Sequence, residues 1–374
     1  MKKLLYYSGT DVFTKKDVYE NIPGGENFSY LFKLMGNQTV IYDRTNTIQI
    51  PLHFHLPEHL KLPEYKIFNK SFDEICCDAA LELYARAQKN NRKIAIMYSG
   101  GIDSTTVVVA FMKVLPKDKL KDITILMNDQ SIHENQNLYE KYISKNFKCV
   151  PSYNYIYYAM SDDYFLLSGE QADMLFLGML YTSLVDIQKY PNMLHDDYRQ
   201  HEDLIIQGLE KSLPPHKKKD TAKQVYDFFD YMANSCPIKI VNVMDLTWWL
   251  NFALKWQSCY YRTIGFVPDP SKIKFEESYS TFYNSPEFQL WTINNRDKIF
   301  KENFDSYKYI QKEFIYDFDK NYYYLTQKKK IGSLANTIRR KKPFVYMDTE
   351  MNFSHTKLPE EFYNNDNYFT NFSS

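Results

Sequence analysis

Lys93-Ile94-Ala95-Ile96-Met97-Tyr98-Ser99-Gly100-Gly101-Ile102-Asp103-Ser104 passes from an apolar run into a Ser-Gly-Gly-x-Asp-Ser turn, and then directly into Thr105-Thr106-Val107-Val108-Val109-Ala110. The order reads as a buried strand, a phosphate-sized loop and a buried helix. Adjacent glycines allow backbone conformations closed to other residues and close approach to a ligand, and the amides that open the following helix point at an anion placed there. Ser99 and Ser104 add hydroxyl donors, and Asp103 is a carboxylate able to hold a magnesium ion. The Gly-Lys-Ser/Thr ending of a Walker loop is absent. The expected ligand is therefore the pyrophosphate end of ATP, in an enzyme that cleaves between the α- and β-phosphates.

A second stretch repeats the pattern: Tyr164-Phe165-Leu166-Leu167-Ser168-Gly169-Glu170-Gln171-Ala172-Asp173-Met174-Leu175-Phe176-Leu177-Gly178 is again strand, glycine turn and acidic helix start. The first loop resembles that of the PP-loop ATP pyrophosphatases. With the second, the chain resembles the synthetase domain of the asparagine synthetase family, whose second signature reads Ser-Gly-Glu-Gly-Ala-Asp-Glu-Leu-Phe-Gly-Gly. It departs from that signature at Gln171, Met174 and Leu177. Both signatures occur in the family's order, each after an apolar strand.

At 374 residues and 44% hydrophobic content the chain can fill a core of one large or two ordinary domains. Lys+Arg and Asp+Glu both number 46, so no global charge favours a nucleic acid or a membrane surface as partner, and small-molecule chemistry is expected. Five cysteines without Cys-x-x-Cys spacing argue against a disulfide framework and against the zinc-bearing and sulfur-transferring branches of PP-loop enzymes, and point to a reducing cytoplasm. Met1-Lys2-Lys3-Leu4-Leu5 opens too short an apolar stretch for a signal peptide, and no run approaches the roughly 20 residues that span a bilayer.

Residues 1–70 read as a β/loop extension, with a hairpin expected from Thr39-Val40-Ile41-Tyr42 and Thr47-Ile48-Gln49-Ile50. Ser71 reads as the N-cap of a helix with Asp73 and Glu74 in its first turn. The strand at 93–98, a helix at 103–114, a strand at 123–127, a helix around 134–146 and the strand at 164–168 alternate. That alternation predicts an α/β fold, a parallel sheet with flanking helices. From about residue 181 the spacing turns helical and aromatic, as in Leu246-Thr247-Trp248-Trp249-Leu250, which predicts a helical C-terminal half. The resemblance places the synthetase domain at 71–345, its nucleotide part at 71–180 and its helical part at 181–345, with a loose tail at 346–374. It implies the adenine nucleotide α-hydrolase-like architecture of PP-loop enzymes.

By resemblance, a substrate carboxylate attacks the α-phosphorus of ATP, and an amine then attacks the activated carbonyl. Ser99, Gly100, Gly101 and Ser104 would hold pyrophosphate, and Asp103 with Asp173 would bind Mg2+. Gly169, Tyr98 and Met127 would line the adenine, the last two by their position on neighbouring strands. Glu170 matches the catalytic glutamate that orients or deprotonates the amine, since an ammonium has no lone pair with which to attack. Lys330, two residues before Gly332, matches the lysine that stabilises charge at the α-phosphate, with Lys328 and Lys329 as neighbours in the same basic run. Tyr307-Lys308-Tyr309-Ile310 is similar to the family's Lys-Tyr-Leu-Leu segment.

The departures flank the substrate carbonyl and argue against aspartate as substrate. Glutamine-dependent members begin with a cysteine after Met1, whereas Lys2 stands here and no cysteine precedes Cys76. The expected amine is therefore free ammonia, ammonia from a separate subunit, or an amine on the substrate itself, as in β-lactam synthetases and lasso-peptide cyclases. Two other readings stay open. One is a PP-loop enzyme that adenylates a nucleotide or nucleic-acid base, for which Arg339-Arg340-Lys341-Lys342 would be a contact. The other is an inactive ATP-binding regulatory subunit, against which Asp103, Glu170 and Asp173 together argue. His195 and His201 lie among carboxylates without metal-ligand spacing and read as solvated surface.

Overall fold

The computed structural model describes residues 2–7, 41–47, 52–177, 191–212, 218–299, 307–328, 346–354 and 358–364. The chain divides into two compact units, one formed by residues 66–172 and 263–343, the other by residues 1–65, 173–262 and 344–374. This partition cuts across the linear one drawn from the sequence, because strand pairing joins the two ends of the chain: Leu4–Tyr7 runs antiparallel to Tyr346–Asp348.

The first unit is α/β, built on a five-stranded parallel sheet. Its strands are β1 (Lys93–Met97), β2 (Thr124–Met127), β3 (Lys148–Pro151), β4 (Tyr164–Ser168) and β5 (Tyr279–Thr281), in the order β3-β2-β1-β4-β5. Ile94 to Met97 and Phe165 to Ser168 are all buried. This explains their unbroken apolar runs, since a strand covered on both faces has no solvent side on which to alternate. Parallel registers such as Ile96 opposite both Ile125 and Leu167 align the C-terminal ends of the three central strands.

Helix α1 (Phe72–Lys89) starts as predicted. Ser71 accepts from the Glu74 amide at 3.2 Å, and the Glu74 carboxylate accepts from the Ser71 amide at 2.7 Å, a reciprocal cap that holds Glu74 below its usual pKa. Helix α2 (Ile102–Val114) follows the first signature loop and buries every residue from Ser104 to Phe111. The helix expected around 134–146 is instead a broken series, beginning with α3 (Asp129–Glu134). The break has a local cause: the Asn128 and Asn135 side chains accept from the amides of Ser131 and Leu138, so each asparagine opens a new turn. Three later helices complete the unit: α4 (Pro286–Asn294), α5 (Tyr309–Asp319) and α6 (Tyr322–Gln327).

The helical part expected at 181–345 is divided between the units, and the second unit carries its residues up to 262. Its helix Val243–Arg262 buries Trp248, Trp249, Phe252 and Trp256 completely. Arg44 is buried against it, with its guanidinium over the Trp256 ring and donating to the carbonyls of Leu60, Phe252 and Lys61 at 2.7, 3.0 and 3.1 Å. The expected hairpin lies mostly outside the described residues. Residues 41–47 are not strand but a turn closed by the Asp43 carboxylate, which accepts from the amides of Thr45 and Thr47. Among the described residues no helix is long and apolar enough to cross a membrane.

Candidate active site

The strand order sets the location. From β1 the chain moves outward to β2 and then β3, and β4 and β5 lie on the opposite side of β1, so the direction of progression reverses between β1 and β4. In an open parallel sheet the crevice beyond the carboxyl ends at such a reversal is the usual ligand site. Both signature loops begin there, Ser99-Gly100-Gly101 after β1 and Gly169-Glu170-Gln171 after β4.

The first loop is closed by its own hydroxyls. Ser104 Oγ accepts from the Ser99 amide at 3.1 Å and lies 3.0 Å from Ser99 Oγ, while Ser99 Oγ accepts from the Gly101 amide at 3.3 Å. Only one of the two glycines needs the left-handed region. Gly100 has φ +74°, and a Cβ there would lie 2.3 Å from the Ser131 carbonyl oxygen and 2.4 Å from Glu134 Cβ. Gly101 is extended and caps α2. The loop is also held from below and behind. Glu134 and Lys328 form a buried ion pair, their side chains 1% and 7% exposed. Tyr283, whose pKa burial raises, donates to the Asp103 carbonyl at 2.9 Å and accepts from Gln311 Nε2 at 2.9 Å. Tyr324 reaches the Gly100 carbonyl at 3.4 Å.

The second loop rests on the first. A Cβ on Gly169 would meet the Ser104 amide nitrogen at 3.2 Å and the Asp103 carbonyl carbon at 3.3 Å, so the two backbones touch at the opening of α2. Glu170 is partly exposed beside this contact. Gln171 is buried with φ +73°, and its side-chain oxygen accepts from the Thr281 hydroxyl of β5. The turn thus holds a residue with a side chain in the left-handed region that glycine adopts most readily.

Ser99, Gly100, Gly101, Asp103, Ser104, Gly169 and Glu170 thus come from the two adjoining strand ends. Tyr98 and Met127 are buried at 0% and 5% exposure, so Tyr98 packs in the core behind the loop and has no exposed ring to offer adenine. Asp173 lies in the first turn of Ala172–Phe176, in the other unit, partly exposed. Lys330 lies outside the described residues.

Sequence reasoning did not foresee the partners of three charged residues. Lys308 Nζ lies 2.6 and 2.8 Å from the two carboxylate oxygens of Asp103, with only 6% of its side chain exposed. Its signal was the Tyr-Lys-Tyr-Ile segment, to which no role was attached. Lys328 stands in a basic run that reads as solvated but is itself buried, and Glu134 carried no signal. No family model, curated protein or solved structure matches the chain.

The residues present fit a polyphosphate and a divalent cation. The amides of a 13-residue helix open at the loop, beside the Ser99 and Ser104 hydroxyls, and Asp103 is a hard oxygen donor in that helix's first turn.

Proposed function

We propose that this chain is an ATP-dependent amide-forming ligase of the asparagine synthetase-like type, on a PP-loop fold. It adenylates a substrate carboxylate with release of pyrophosphate and then passes the acyl group to ammonia or another amine. The observation that carries this reading is the contact of Gly169 with Asp103 and Ser104, which joins the two signature loops at the sheet's reversal point.

The difficulty of the reaction is charge, since an anionic carboxylate must approach a polyanion. The α2 amides and the Ser99 and Ser104 hydroxyls, now bonded to one another, would turn to phosphate oxygens. Magnesium, when bound, would neutralise the phosphates, with Asp103 as ligand. Glu170, at the rim, would take the proton from the incoming amine. Lys330 would stabilise charge at the α-phosphate by resemblance alone.

The test is the fate of ATP. Purified protein with magnesium and a panel of carboxylates, with and without ammonia, should form AMP and pyrophosphate only with a particular acid, and Asp103→Ala should abolish it. ADP and phosphate as products would rule the reaction out. ATP binding without cleavage would favour a regulatory subunit, and AMP formation only with a nucleotide or RNA would favour a base-modifying enzyme.

A further inference from the structure

Asp103 is the only carboxylate that the described part of the first loop offers to a cation, and both of its oxygens face one ammonium. Lys308 Nζ bridges them at 2.6 and 2.8 Å, the lysine side chain 6% exposed and the aspartate 28%. A divalent ion on the same carboxylate would bind at about 2.0–2.6 Å from those oxygens. Ammonium and metal would then be like charges on one carboxylate, and each disfavours the other.

Lys308 is also held in an uncomfortable place. It has φ +56°, left-handed for a residue with a side chain, and it stands at the N-cap of α5 without capping it. A buried cation at a helix N-terminus opposes the helix dipole. Burial, backbone and dipole all disfavour this placement, and the Asp103 carboxylate offsets them. Such a side chain is poised to exchange partners once another anion reaches the loop.

Resting on the ATP-binding reading above, we propose that Lys308 is the resident counter-ion of Asp103, so that the divalent metal enters only with a polyphosphate that takes over the ammonium. Metal and nucleotide then bind as a coupled pair, and the metal alone binds poorly.

The experiment measures Mn2+ binding to the full chain by the loss of the free-ion electron paramagnetic resonance signal, with and without ATP. Without nucleotide, Lys308→Met should bind Mn2+ at least tenfold more tightly than the unaltered chain, and Lys308→Arg should not. Adding Asp103→Asn to Lys308→Met should cancel the gain. With ATP the order should reverse, Lys308→Met binding the nucleotide at least tenfold more weakly. Equal or weaker Mn2+ binding by a folded Lys308→Met chain, judged by circular dichroism and melting, would overturn the proposal. So would tight Mn2+ binding by the unaltered chain that is indifferent to ATP. If no chain binds ATP, the proposed function fails, whereas the nucleotide-free comparison still decides whether ammonium and metal compete. If Lys308→Met does not fold, Lys308→Gln replaces it in the same comparison.

Discussion

Gly100, after β1, and Gln171, after β4, have nearly the same backbone φ, +74° and +73°. Their surroundings differ. Gly100 is walled by the Ser131 carbonyl and Glu134, so no side chain fits there. Gln171 carries a side chain in the same strained conformation, and that side chain is buried and bonded to Thr281. Glycine meets the backbone requirement at no steric cost in the first loop. In the second, a residue that would cost about 1–2 kcal/mol in a left-handed conformation is retained with a hydrogen bond that offsets part of it. The first loop needs glycine because there is no room for a side chain, and the second tolerates one because that side chain has a buried partner.

The contrast can be broken most severely from beneath Gly100. Glu134→Gln leaves the buried Lys328 ammonium opposite a neutral amide, and a loss of about 3–5 kcal/mol is expected in equilibrium unfolding. Glu134→Gln with Lys328→Met should recover most of it, and a double variant as unstable as the single would refute the assignment. Next, Gly100→Ala should cost roughly 3 kcal/mol, from overpacking against the Ser131 carbonyl and from the left-handed backbone, and should abolish ATP binding by calorimetry. Gly169→Ala meets only contacts of 3.2 to 3.4 Å. It should cost about 1 kcal/mol while weakening ATP binding at least tenfold, because it pushes on the opening of α2. The smallest effect sharpens the comparison. Gln171→Ala loses the Thr281 bond and keeps the strain, for a loss of about 1 kcal/mol, whereas Gln171→Gly loses the bond but relieves the strain and should melt within ~0.5 kcal/mol of the unaltered chain. Equal melting of the two variants would show that the strain at Gln171 is not felt.

Much of the first unit is legible from local pattern. The apolar runs at 93–98 and 164–168 are strands, Ser71 caps its helix, and Ser-Gly-Gly-x-Asp-Ser sits between strand and helix as its spacing requires. Where local reading failed, another local force had intervened. Asn135 opens a new turn within the segment at 134–146, whose periodicity reads as one helix. Lys328 failed for a different reason, since a lysine in a basic run differs from a buried one only by its partner, and Glu134 stands 194 residues away.

By itself the sequence determined the strand–loop–helix units and the residue types at their turns, because these follow from backbone conformation and from side-chain periodicity over a few neighbours. The tertiary structure alone decided that β1 and β4 are adjacent, that Gly169 rests on Ser104, and that Lys308 meets Asp103 across 205 residues of chain. Contacts at that separation depend on strand order and helix placement, and a pairing made through the fold leaves no periodic trace along the chain.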